Sequence, residues 1–233
     1  MNMTPRLGKR LKTVFDMAPY AETAADIGCD HAQLAVSLYL SGKASHVFAS
    51  DIREGPLRAA RENLARFKCE AGVSTLLSAG LDGVIDKNVE VYIIAGMGGE
   101  TIAEIIDAHK AAFTGRETFV LQPQSSVEDL RRYLYKNGFV IDDERLAFEQ
   151  GHLYTAMRAH FSGSARECEE VYYYIGKQLF HNRDPLLFEL IERRIREHEK
   201  IKDGLLRAGQ NEKAHKTERL IEDMKKLLKE VKR

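Results

Sequence analysis

Residues 23–32, Thr-Ala-Ala-Asp26-Ile-Gly28-Cys29-Asp30-His31-Ala32, set two carboxylates around one glycine at the end of a short apolar run. A third carboxylate, Asp51, closes the next apolar run, 47–51. A glycine turn lets backbone approach a ligand closely, and an acid roughly 20 residues further on can accept hydrogen bonds from both hydroxyls of a ribose. This pattern predicts a nucleoside site. A dinucleotide turn needs G-x-G-x-x-G so that a helix start can cradle pyrophosphate, yet Asp30 and Gln33 occupy the second and third glycine positions. Carboxylates repel a diphosphate and attract cations. They fit S-adenosyl-L-methionine, which carries a sulfonium and an ammonium and no phosphate. The competing reading is a strand, turn and helix in which Asp30 is only an N-cap.

A second segment, Val91-Tyr-Ile-Ile-Ala95-Gly96-Met97-Gly98-Gly99-Glu100, runs an apolar strand into three glycines in four residues. Such a side-chain-poor loop at the carboxyl edge of a parallel sheet suits the close approach of something flat; a helix start packed tightly on the sheet is the alternative. Gln122-Pro123-Gln124 follows a further apolar run. Gln122 can contact a base edge, or serve as a turn amide bonded to backbone.

These segments need a scaffold that brings them to one edge. Strand patterns near 23–27, 46–50, 73–77, 89–95 and 117–121 alternate with helical patterns near 31–41, 55–68, 99–109 and 126–136, which predicts βαβ units and a mostly parallel sheet. Two extended runs, 139–148 and 152–160, joined by Glu149-Gln-Gly151, predict an antiparallel hairpin at its end. That order is found in class I methyltransferases, an analogy of fold alone. Beyond residue 160 the chain becomes charge-rich helix. Asp184 and Pro185 start one helix with an apolar seam of Leu187, Ile191, Ile195, Ile201 and Leu205; Gly209-Gln-Asn211 breaks it, and Ala214, Ile221, Met224 and Leu228 form a second. The expected organisation is a 1–160 methyltransferase domain and a 161–233 helical hairpin.

Lys and Arg total 35 against 35 Asp and Glu, so the overall charge selects no partner. Residues 161–233 hold 17 basic against 14 acidic side chains, a modest excess, and local clusters matter more. Arg6, Lys9, Arg10 and Lys12 lie in the first helical pattern, Arg193, Arg194 and Arg196 in the tail, and Lys225, Lys226, Lys229, Lys232 and Arg233 at its end. Such clusters meet RNA phosphates, or form solvated helix faces paired with Glu. Cys29, Cys69 and Cys168 show no C-x-x-C spacing, so neither a disulfide framework nor a zinc knuckle is expected. The sequence predicts no metal site, no membrane span and no signal peptide, hence a cytoplasmic protein. The helical hairpin can pack within one chain or between two, giving a monomer or weak homodimer.

The whole chain resembles the bacterial tRNA (adenine-N1) methyltransferases acting on adenosine 22, the TrmK family. The resemblance rests on Leu7-Gly-Lys9-Arg10-Leu11, Ala25-Asp-Ile-Gly-Cys-Asp-His31-Ala32, Glu54-Gly55-Pro56, Ile94-Ala-Gly-Met-Gly-Gly99, Leu121-Gln-Pro123 and the helical tail. It implies a Rossmann-like α/β domain, S-adenosyl-L-methionine as donor, tRNA as acceptor and a coiled-coil-like C-terminal domain that helps to grip the tRNA. By position, Asp26, Gly28, Asp30 and His31 take the methionine side of the donor, Asp51 and Ile52 the ribose, and Gly80 and Leu81 the adenine, with Gly96 and Met97 beside them. Cys29 stands where the family commonly has Ser, and Gln124 where Asn usually follows Gln-Pro. Adenine N1 is already a nucleophile, so the chemistry asks for placement of an extruded base. The Gly96–Gly99 loop, including Gly98 and Gly99, is the expected wall, with Gln122 at the base edge and Asp30 near the developing charge. Arg6, Lys9, Arg10, Lys225 and Lys226 are the expected tRNA contacts. Another RNA, a small-molecule acceptor, or RNA binding without catalysis are the alternatives.

Overall fold

The computed structural model describes residues 4–231, so Lys232 and Arg233 lie outside the described residues. The chain divides between Arg166 and Glu167 into two compact units. In the first, α1 (Lys9–Met17), β1 (Ala21–Ile27), α2 (Gln33–Leu40), β2 (Ala44–Asp51), α3 (Glu54–Phe67), β3 (Val73–Leu77), β4 (Val91–Met97), α4 (Gly99–Asp107), β5 (Thr118–Pro123) and α5 (Val127–Lys136) precede a hairpin of β6 (Phe139–Glu149) and β7 (His152–Phe161). The strands form one sheet in the order β3-β2-β1-β4-β5-β7-β6. Its first five strands pair in parallel, and β7 pairs antiparallel with both β5 and β6.

Both faces of the sheet are covered, which explains the unbroken apolar runs. Along β4, Val91 and Ile93 enter one core cluster with Val14, Leu34 and Leu57, while Tyr92 and Ile94 enter the other with Ile102 and Leu130. Alternate residues of a strand point to opposite faces, so a doubly covered strand must be apolar throughout. The helices bury one stripe each, as Leu57, Ala60 and Leu64 do in α3, and each fully buried Leu or Ile contributes about 1.5–3 kcal/mol.

Helix α2 starts at Gln33 rather than at 31, because Asp30 and Ala32 adopt left-handed backbone with φ of 50° and 53°. Ala32 is its N-cap residue and makes no side-chain cap bond, so Asp30 does not cap it. Arg6 precedes α1 instead of lying on it. The first unit runs six residues past the expected boundary at 160. Ser162 and Arg166 still donate backbone hydrogen bonds to the Gly138 and Tyr135 carbonyls, at 2.7 and 2.9 Å.

The second unit contains α6 (Glu170–Ile175), α7 (Lys177–His181), α8 (Leu187–Arg207) and α9 (Asn211–Val231). Asp184 Oδ1 accepts the Leu186 N–H at 2.9 Å, making a turn ahead of α8 rather than its cap. The hairpin seam holds Leu187, Leu190, Ile191 and Ile195 on α8 and Ala214, Leu220, Ile221, Met224 and Leu227 on α9. Ile201 falls out of it, at 45% exposure, and Leu227 takes the buried place expected of Leu228.

Candidate functional site

The strand order reverses direction between β1 and β4, and at such a switch point the loops leaving the two carboxyl ends diverge and open a crevice. A cavity of about 800 Å³ lies there. Its β1 side is built by backbone. The N–H groups of Gly28 and Cys29 both donate to the Ser50 carbonyl, at 2.8 and 2.9 Å, which ties the turn after β1 to the end of β2 and sets Asp26 and Asp51 along one rim. Gly28 has φ +70°, and a Cβ there would fall 2.2 Å from Met97 Cε; only glycine makes this turn without strain. Asp51 is 6% exposed, and its Oδ1 accepts the Arg53 N–H at 2.9 Å, which holds the carboxylate still.

Asp26 is 4% exposed, and its Oδ2 is buried without a hydrogen-bond partner. Burial pushes its pKa up to about 7, the negative charge of Asp30 adds to the rise, and a backbone hydrogen bond from Ala35 offsets part of it. Asp26 lines the cavity, and an orphaned buried carboxylate oxygen is costly unless a donor or cation completes it. The acid set therefore fits the ammonium and sulfonium of S-adenosyl-L-methionine. Cys29 sits among these acids. Burial first, then the charges of Asp26, Asp51 and Asp30, push its thiol far up, so it stays protonated and is no nucleophile.

The opposite wall comes from β4, β5 and α1. The pairing of β4 with β5 shifts register between Ala95 and Met97, and Gly96, at φ +84°, occupies that bulge and lines the cavity. Gly98 and Gly99 lie outside the cavity lining, and Gly99 serves packing. A Cβ on Gly99 would sit 2.2 Å from the Ser126 carbonyl oxygen, and its N–H donates to Ser125 at 2.9 Å. Gln122 is fully buried: its Oε1 accepts from Arg10 Nη1 at 2.5 Å, and its Nε2 donates to the Pro123 carbonyl at 2.7 Å. It does not face the cavity; Gln124, two residues on, does.

Of the other expected site residues, Asp30, His31, Ile52, Gly80, Met97 and Arg10 line the cavity. Asp30 and His31 stand at its mouth, 3.7 Å apart, with side chains 70% and 55% exposed. Leu81 does not line it: it is fully buried in the core beneath α4, and Ser78 and Ala79 line the cavity in its place. Arg53, Thr101 and Ile105 also line it, and nothing in their local sequence marks them. Arg6 and Lys9 are exposed. Lys225 and Lys226 pair with Glu199 and Asp223, at 2.9 and 2.8 Å. Among the described residues no helix is long and apolar enough to cross a membrane, and no three His, Cys, Asp or Glu gather to hold a metal ion.

A sheet in this order, closed by an antiparallel hairpin and carrying acids at the rim of β1 and β2, defines a Rossmann-like methyltransferase. Residues 24–230 match the sequence pattern of TrmK, tRNA (adenine(22)-N(1))-methyltransferase, and the chain belongs to that family. The tRNA (adenine(22)-N(1))-methyltransferase of Bacillus subtilis is 35% identical over 154 residues, which are 66% of this chain and 65% of that one, just under two thirds of the relative's length. The crystal structure of the B. subtilis m1A22 tRNA methyltransferase TrmK superposes with a TM-score of 0.83 at 28% identity, covering 97% of this chain and 99% of that one. Mycoplasma capricolum TrmK, in complex with its cofactor product S-adenosyl-homocysteine, superposes with a TM-score of 0.82 at 27% identity over 97% and 99% of the two chains.

Proposed function

We propose that this protein transfers the methyl group of S-adenosyl-L-methionine to N1 of adenosine 22 in tRNA, and that it works in the cytoplasm, where tRNA is. The observation that carries the reading is Asp26, a buried acid with one unpartnered oxygen that lines the switch-point cavity, in a chain of this family. Asp26 takes the ammonium of the donor, Asp51 its ribose hydroxyls, and Ile52 and Gly80 flank its adenine.

S-adenosyl-L-methionine supplies the activated methyl group when bound. The protein has to place the acceptor nitrogen in line with it, because N1 carries its own lone pair and needs no prior deprotonation. The base must leave its stack to expose N1, and the bulge at Gly96 gives it a wall free of side chain. Positive charge passes to the base as the methyl moves. Asp30 at the cavity mouth stabilises that charge, and the open setting of its side chain leaves the base free to depart. The adjoining tRNA lies along Arg6 and Lys9, and the hairpin of α8 and α9 grips it through Lys225 and Lys226.

Nucleoside mass spectrometry of tRNA incubated with protein and donor tests this reading. N1-methyladenosine, mapped to position 22 by arrested reverse transcription, is the expected product. Methylation of another nucleoside, methylation of a small molecule only, or tRNA binding with no product would overturn it.

A further inference from the structure

Arg10 is a cation held in place without an ion-pair partner among the described residues. Three elements fix it. Its backbone N–H donates to Glu149 Oε2 at 2.9 Å, its Nη1 donates to the buried Gln122 Oε1 at 2.5 Å, and its guanidinium carbon lies 5.8 Å from the centre of the Tyr154 ring. Gln122 can present only its oxygen, because its Nε2 is turned the other way by the bond to the Pro123 carbonyl. Among the described residues no carboxylate lies within ion-pair distance of the guanidinium. The group is half-buried and lines the cavity whose other charged walls include Asp26 and Asp51.

A guanidinium has five N–H donors in a rigid fork that matches an oxyanion, and the bond to Gln122 uses one of its nitrogens. A partly desolvated cation that is ordered in three ways and lacks a counter-charge is explained by an anionic ligand, as an unpaired charge otherwise costs stability. We propose that Arg10 is the oxyanion-binding group of this cavity and that Gln122 is the positioning residue that aims it. The inference rests on the methyltransferase reading. That reading supplies two oxyanions of one chemistry: the carboxylate on the amino-acid tail of the donor, and a phosphate of the tRNA beside the extruded base.

The test measures Arg10→Gln, Gln122→Leu, Gln122→Glu and the Arg10→Gln/Gln122→Leu pair in the full chain, after thermal unfolding has shown that each is folded. Calorimetry with S-adenosylhomocysteine and with 5′-methylthioadenosine, which lacks the amino-acid tail, separates the two sources from tRNA kinetics. If the oxyanion is the donor carboxylate, Arg10→Gln weakens S-adenosylhomocysteine by about 10- to 100-fold and leaves 5′-methylthioadenosine unchanged. If it is a phosphate, both nucleosides bind as before, the KM for tRNA rises by a similar factor with kcat little altered, and the salt dependence of tRNA binding flattens by about one phosphate contact. Under either outcome Gln122→Leu reproduces part of the loss in the same assay and adds nothing once Arg10 is replaced. Gln122→Glu sets a counter-charge against the guanidinium and lowers the same affinity, which keeps the test open should the leucine variant fail to fold. Wild-type affinities retained within twofold by Arg10→Gln in all three measurements, or losses from Arg10 and Gln122 that simply add, would overturn the proposal. Failure of the wild-type protein to bind either nucleoside would instead overturn the methyltransferase reading.

Discussion

Along the β1–β2 rim, the groups that face the cavity come from two adjacent strand ends tied by backbone hydrogen bonds, whereas across from it Arg10, Gly96 and Gln124 arrive from three separate segments. On the first wall, backbone bonds from Gly28 and Cys29 to Ser50 fix both acids at once. On the second, a side-chain bond between residues 112 positions apart holds Arg10. The first wall is pre-organised by bonds between neighbouring strand ends and holds an acid with one unpartnered oxygen. The second has its geometry only when the whole sheet and α1 are in place. A change on the donor rim should therefore act on donor binding alone, and a change on the opposite wall should act on packing together with whichever oxyanion Arg10 meets.

The largest expected effect falls on the donor rim. Asp51→Ala removes a nearly buried acceptor and should weaken S-adenosylhomocysteine by about 1.5–3 kcal/mol, roughly 10- to 150-fold, by the cost of losing hydrogen bonds to a charged group. Filter binding of tRNA should stay unchanged, and an equal loss of tRNA affinity would break the division between the walls.

Two glycines sharpen the description of the opposite wall. Gly99→Ala drives a methyl against the backbone of Ser125 and Ser126, which cannot swing aside, and should cost about 1–3 kcal/mol in denaturant unfolding. Gly96→Ala meets only the ends of Arg10 and Gln124, at 3.6 and 3.9 Å. It carries a backbone cost of about 1–2 kcal/mol for its left-handed φ and should show a drop in kcat for tRNA methylation that Gly99→Ala lacks at equal folded fraction. The reverse pattern would exchange their roles.

The same contrast explains what could be read in advance. β3 forms at 73–77 as expected, and Asp26 and Asp51 line one cavity; a covered parallel strand and a tight turn each leave a short-range signature of apolar run, glycine and carboxylate. Position alone could not show that Leu81 turns into the core while Ser78 and Ala79 face the cavity. Nor could it show that Gln122 is buried, since its partner Arg10 is a neighbour only in the folded sheet. Helix α2 starts later than its apolar pattern, because an alanine in left-handed backbone has no sequence signal; tertiary packing overrides its preference. Ile201 kept the helical spacing of the tail seam and still ended exposed. Periodicity fixes the stripe on a helix, not how far along it the partner extends.

Asp26 gives the donor rim a pH signature. Its carboxyl is raised to about 7 in the folded protein from 3.8, so its contribution to stability is complete below about pH 3.8 and is lost as pH rises through about 7. Binding of a cationic ligand has the opposite sign, because it favours the carboxylate. Affinity for S-adenosylhomocysteine should rise roughly tenfold between about pH 6 and about pH 8 and then level off. Asp26→Asn should flatten that profile, and a wild-type profile already flat across this range would show that the carboxyl is not completed by the ligand.

The smallest effect is expected far from both walls. Lys225 and Lys226 are ion-paired on an exposed helix face, and exposed pairs contribute little to folding, so Lys225→Ala/Lys226→Ala should leave thermal unfolding nearly unchanged. Their use shows only against a polyanion. If both exchange their acids for phosphates, the logarithmic salt slope of tRNA binding falls by about two contacts, roughly 0.7–0.9 each, while donor affinity is untouched. The existing pairs with Glu199 and Asp223 compete with phosphate, which makes the loss at low salt smaller than for an unpaired cation such as Arg10. A salt slope identical to that of the wild-type protein would mean that these lysines stay with their acids, leaving the tail to meet tRNA by other residues.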